Sequence, residues 1–236
     1  MSTTSPAAGA SSRRSHRAAA GEGDRLRDEL MDAAERLLGE RGNVDSVSLR
    51  QVAREVGVSA TSVYLHFADK DDLFVQVCHR RFTALADHLR LAREGLASPA
   101  AQLRACGRAY VRFGLERPAE YTTLFTTLPM AKVVELVDPE ELIGLRTLEE
   151  MAGIVAAGVE AGELRDVDPF TTAVSLWATV HGLVTALGHG LGEVELDADA
   201  VTDHTLDLLL DGLRRPERQP ARSQTAQPSR SDSAQP

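Results

Sequence analysis

The sequence predicts an all-α protein of about nine helices, an N-terminal three-helix domain followed by a larger helical body. Three observations predict it. Apolar residues recur every three or four positions from Leu26 to Leu213, with no alternating strand pattern of useful length. Helix starts are written as a cap residue followed by proline, at Ser98–Pro99, Asp138–Pro139 and Asp168–Pro169, where proline's missing donor costs nothing. Finally, caps and a glycine divide Ser48–Leu73 into two short helices and the start of a third.

Taken in order, residues 1–23 are rich in Ser, Thr, Ala and Gly and read as a disordered basic arm. Its Arg13, Arg14 and Arg17 could touch DNA or serve only as a solubilising tail. Leu26, Leu30, Ala33, Ala34, Leu37 and Leu38 make one face of a first helix, which Gly42 ends. Leu49, Val52, Ala53 and Val56 make a second, opened by the capping-box pair Ser48 and Gln51 and closed by Gly57. Ser59 can cap a third, and Asp69 and Asp72 bracket the start of a long fourth. That fourth helix carries Leu73, Phe74, Val77, Phe82, Leu85 and Leu89 and ends near Gly95. The fifth starts at Ser98–Pro99 and the sixth at Pro118, while Pro129–Val137 is ambiguous. A seventh runs from Asp138–Pro139 to Ala161, an eighth from Asp168–Pro169 to Gly188, and a ninth from Asp197 to Leu213. The expected domains are 24–70 and 71–213, with a disordered Pro/Gln/Ser/Arg tail over 214–236.

The net charge of −9 is unevenly spread: +2 over 1–23, −2 over 24–70, −12 over 71–213 and +3 over 214–236. An acidic body repels DNA at long range, but salt screens that repulsion beyond about 8 Å. The 24–70 segment is not basic overall, so any DNA affinity must depend on a few placed groups. Two cysteines, Cys78 and Cys106, make no disulfide framework and read as small buried hydrophobes, which suits a reducing cytosol. No uninterrupted apolar run of 18 residues and no N-terminal apolar region are present, so neither a membrane helix nor a secretory signal is expected. The expected location is cytoplasmic.

The arrangement of Ser48–Leu73 is that of a helix-turn-helix, whose second helix enters the DNA major groove. The run GVSATSVYLHFADKDDL, Gly57–Leu73, resembles the DNA-binding signature of TetR-type transcriptional regulators. The matching residues are Gly57, Val58, Ser59, Val63, Tyr64, His66, Phe67, Lys70 and Leu73. Ala60, Thr61 and Leu65 would face base edges; being small or apolar, they suit thymine methyls more than bidentate hydrogen bonding. Arg50 could read a guanine, touch a phosphate or stay solvated. Ser48, Ser62, Tyr64 and Lys70 suit phosphate oxygens, and the resemblance gives Tyr64 and Lys70 that role. His66 could donate to a phosphate or cap the recognition helix.

The resemblance also implies a homodimer, in which helices eight and nine form a four-helix bundle with their symmetry mates. Gly182, Leu183, Leu206, Leu209, Leu210 and Leu213 are the interface residues expected. The stretch from Trp177 to His181 and Gly182 is similar to the Trp…His-Gly signature of one C-terminal subgroup. Trp177 and His181 either line an effector cavity or form a packed core and interface pair. Phe82, Tyr110, Phe113, Phe125 and Met130 are further cavity candidates, and no charged residue stands out as a counter-ion. The function implied is a repressor, released from a palindromic double-stranded DNA operator by a small lipophilic effector that shifts the fourth helix. No cofactor is expected. An activator or architectural dimer without an effector is the alternative. No nucleophile–base set, metal spacing or phosphate loop points to an enzyme: the glycines at 188, 190 and 192 follow no strand. Asp197, Asp199, Asp203 and His204 could meet a cation, although the first two suit helix caps.

Overall fold

A computed structural model describes residues 22–127, 133, 135–189, 194 and 196–215. Among them are nine α-helices and no β-strand. They are α1 (Glu22–Arg41), α2 (Leu49–Val56), α3 (Ala60–Val63), α4 (Lys70–Arg93), α5 (Pro99–Glu116), α6 (Pro118–Thr126), α7 (Ile143–Glu160), α8 (Pro169–His189) and α9 (Ala198–Leu213). The caps read from the sequence are made. Ser98 Oγ accepts from the Ala101 amide, Asp168 Oδ1 from Thr171, and Asp197 Oδ1 from Asp199 and Ala200.

One start differs. Asp138–Pro139 opens a single 3₁₀ turn, Pro139–Glu141, and α7 begins afresh at Ile143. Asp138 Oδ1 accepts from the Glu140 amide and the Asp138 carbonyl from Glu141, so the Asp–Pro signal is satisfied within one turn.

Packing groups the residues into two compact units. Of the described residues, the first holds those to His88 together with those from Phe113 to Arg146; the second holds Leu89–Arg112 and those from Thr147 on. The first unit has a core in which Leu30 and Ala34 of α1, Val52 of α2, Val63 of α3, and Leu73 and Phe74 of α4 are buried together. Charged groups surround it. Glu35 accepts from both Arg80 and Arg81, Arg80 also pairs with Asp32 at 2.8 Å, and Arg81 reaches Glu120 of α6 at 3.0 Å. Glu35 holds the Arg81 guanidinium further above its already high range.

The second unit is cored by Leu103 of α5, Ile154 and Val155 of α7, Leu164, and Leu210 and Leu213 of α9. A side chain at Gly158 would place its Cβ 2.6 Å from Leu164 Cδ1, so the buried Leu164 side chain would have to move to admit one. Arg108 pairs with Asp203 and Arg104 with Asp207, tying the outer edges of α5 and α9. Cys78 lies in the first unit and Cys106 in the second; burial pushes each thiol up to about 11. α8 carries no formal charge from Pro169 to Gly188 and is long and apolar enough to cross a membrane by length and composition alone, a test that the core helix of a soluble protein also passes. Thr171, Thr172, Ser175, Thr179 and Thr185 interrupt its apolar run.

Candidate DNA-binding surface and effector region

The α2–α3 segment is held by its own backbone chemistry. The Ser48 amide donates to Gln51 Oε1 at 2.8 Å, Ser48 Oγ donates to the same oxygen at 2.9 Å, and that Oγ accepts from the Gln51 amide at 3.4 Å. The Ser48 hydroxyl proton is therefore engaged in the capping box. α2 ends at Gly57, whose φ of 81° lies in the left-handed region. Val58 N then donates to the Ala53 carbonyl at 2.9 Å, closing the helix end. Ser59 caps α3: its Oγ accepts from the Ser62 amide at 3.1 Å and lies 2.8 Å from Ser62 Oγ.

α3 has only four residues, shorter than the apolar and polar faces suggest. The coil continues as turns, with Leu65 N donating to the Ser62 carbonyl and His66 N to the Val63 carbonyl. Val63 and Phe67 are fully buried and fix the rotation of this segment. Tyr64 and Leu65 consequently face water, 59% and 80% exposed. Thr61 is exposed beside them, while Ala60, Ser62 and His66 are half-buried. The His66 ring lies near Gly23 at the start of α1. Arg50 projects from α2 into solvent. Lys70, at the start of α4, donates to the Val44 carbonyl at 3.4 Å and stands 3.6 Å from the exposed Asp45 carboxylate. It thus ties α4 to the turn before α2. Sequence reasoning missed Arg27, which lies over the Phe67 ring at 5.4 Å and bonds Gln76 at 2.9 Å. No local spacing rule pairs residues so far apart.

The expected effector residues fall into two groups. In the first unit Phe82 meets Phe125 edge-on at 5.8 Å, Tyr121 lies against Phe125, and Phe113 is buried beside His88. In the second unit Trp177 Nε1 donates to Tyr110 Oη at 3.1 Å, and that oxygen lies 3.2 Å from His181 Nδ1. The indole and imidazole stack at 5.2 Å. Burial disfavours the charged form of the His181 imidazole and holds its pKa below the usual value. Met130 lies outside the described residues. A separate cleft of about 340 Å³ in the first unit is lined by Asp32, Glu35, Arg36, Arg81, Glu120 and Thr123. It is charged, and none of the expected effector residues line it.

Of the expected interface residues, Leu206, Leu210 and Leu213 are buried in the chain's own second-unit packing, with Leu206 lying over Gly107. Gly182 is exposed, and Leu183 and Leu209 are half-buried. Leu208 of α9 and Phe170, part of the apolar face of α8, are 64% and 43% exposed. A helical stripe in sequence gives one face but not whose core it enters.

Two family models match the chain. Residues 30–77 match the one described as bacterial regulatory proteins, tetR family. Residues 103–209 match the tetracyclin repressor-like C-terminal domain. Among solved structures, a protein of unknown function from Rhodococcus sp. RHA1 is 28% identical, with a TM-score of 0.69 over 86% of this chain and 100% of that one. The fatty acid degradation regulator FadR from Bacillus halodurans gives 0.65 at 19% identity, over 80% of this chain and 97% of its own. The transcriptional regulator FadR from Bacillus subtilis, in complex with stearoyl-CoA, gives 0.64 at 18% identity, over 79% and 99%. The capped helix-turn-helix matches one model and the helical body the other, so the chain belongs to the TetR family of bacterial transcriptional regulators.

Proposed function

We propose that the protein is a homodimeric repressor that leaves a palindromic operator when a small, lipophilic effector binds its helical body. The observation that carries the DNA contact is the exposure of Tyr64 and Leu65 on a segment whose opposite face, Val63 and Phe67, is buried. A tyrosine and a leucine held in solvent by a rigid core are suited to a groove surface. Thr61, Ala60 and Leu65 face bases in this reading; Tyr64, Ser62, His66 and Lys70 face phosphates, and Arg50 reads a guanine from α2. Ser48 contributes through the cap that fixes α2. The effector reading is supported by the apolar and aromatic residues Phe82, Phe113 and Phe125, and by the Tyr110–Trp177–His181 group. This fold accepts such ligands, since FadR from Bacillus subtilis was solved with stearoyl-CoA. Helices α8 and α9 supply the dimer face, through Gly182, Leu183 and Leu209 together with Leu208 and Phe170.

Titration of the purified protein on its own upstream DNA tests the reading. Tyr64→Phe and Lys70→Ala are expected to weaken binding to all sequences, and Arg50→Ala to relax preference at one base pair by about 1–3 kcal/mol. Unchanged affinity in all three variants would remove the DNA assignment. Release of bound DNA by acyl-CoA or other lipophilic compounds tests the effector; tighter binding on their addition would favour activation.

A further inference from the structure

We infer that the recognition segment reads thymine by its C5 methyl group, with Leu65 as the specificity-determining side chain. This rests on the DNA-binding reading above and adds the chemistry of the base it selects. From Ser59 to Ala68 the sequence SATSVYLHFA contains no Arg, Lys, Asn, Gln, Asp or Glu. The bidentate pairs that identify guanine and adenine in the major groove require those side chains. The segment therefore has no means to make them, whatever its depth in the groove. Its outward apolar surface is what remains to discriminate bases beyond single hydroxyl contacts. Val63 and Phe67, one helical turn apart, are buried, which turns Thr61 and Leu65, also one turn apart, outward. Leu65 is 80% exposed, the most exposed large apolar side chain among the described residues. Thr61 adds a methyl beside it. Thymine is the one base whose major-groove edge offers an apolar partner for such a surface.

The expected effect follows from the burial of one methyl on each half-site. Each is worth about fourfold in affinity, so a pair of half-sites should give about sixteenfold. Deoxyuridine is the matching probe: it pairs with adenine as thymine does and lacks only the methyl.

The full-length protein is used to select duplexes from a random-sequence pool. The tightest duplex is then resynthesised with deoxyuridine replacing thymine, symmetrically in both half-sites, one position at a time. The expected result is a loss of about sixteenfold at one or two positions. Leu65→Ala, an exposed substitution that leaves the core untouched, should bind more weakly and treat the thymine and uracil duplexes alike. Equal binding of every uracil duplex by the unaltered protein overturns the inference while leaving the DNA-binding reading intact. A uracil loss that persists in full in Leu65→Ala overturns the assignment to Leu65. Failure of the pool to yield any preferred duplex removes the DNA-binding reading and this inference with it.

Discussion

At the scale of single residues, His181 is the group whose chemistry the structure defines most narrowly. Tyr110 Oη stands 3.2 Å from its Nδ1 and the Trp177 ring stacks upon it. Burial lowers its pKa below the usual 6.5. The unfolded chain therefore takes up a proton more readily than the folded one. Stability from the neutral ring is complete above about pH 6.5 and declines as pH falls from there through the lowered folded pKa. Thermal melts of the wild type and His181→Gln between pH 5 and 8 should diverge on the acid side, with the wild type losing more; parallel curves would count against a buried neutral imidazole. The sequence announced the Trp177–His181 neighbours through their four-residue spacing. It did not announce Tyr110 as the bridge between them, because α5 and α8 are brought together only by the fold.

At the scale of elements, punctuation was legible and long-range charge was not. The caps at Ser48, Ser59, Ser98, Asp168 and Asp197 depend on neighbours two or three residues away, so the chain displays them in one dimension. The recognition helix was harder: its turns continue to His66 while only Ala60–Val63 is α-helical. The Glu35 network draws on α1, α4 and α6, and nothing in local spacing reveals it. Glu35 has only 11% of its side chain exposed and answers two guanidiniums. Glu35→Ala leaves Arg81 with Glu120 alone and should cost about 2 kcal/mol. Urea unfolding measures this directly, and a change within error would mean that Asp32 and Glu120 suffice.

At the scale of the whole molecule, the fold class and the family were readable from helical periodicity and from one motif. The domain bodies were less so, because an apolar stripe does not state which partner covers it. Leu206, Leu210 and Leu213 share a stripe with Leu209, yet those three enter the chain's own packing, while Leu208 stands out in solvent. Gly182 offers a clean test of the proposed dimer face. Gly182 is exposed and a Cβ there would meet nothing within 4 Å, so a side chain can leave the helix towards solvent in the single chain. Gly182→Arg should therefore keep its helical content while its solution mass falls from that of a dimer to that of a monomer, read by light scattering. A dimer that persists at the same concentration would place the interface elsewhere.

Leu65 has one more consequence. Cations on phosphates compete with salt, so the affinity of a regulator for DNA falls as ionic strength rises. Contact between a leucine and a thymine methyl carries no charge and displaces no counterion. Ranking among operators that differ in that methyl should then survive changes in cell osmolarity that move overall occupancy. The same contact weakens on cooling, as apolar attraction does. Under the proposed contact, the choice of site would respond to temperature through Leu65, and the strength of grip would respond to salt through the cations Arg50 and Lys70 on either side of the segment.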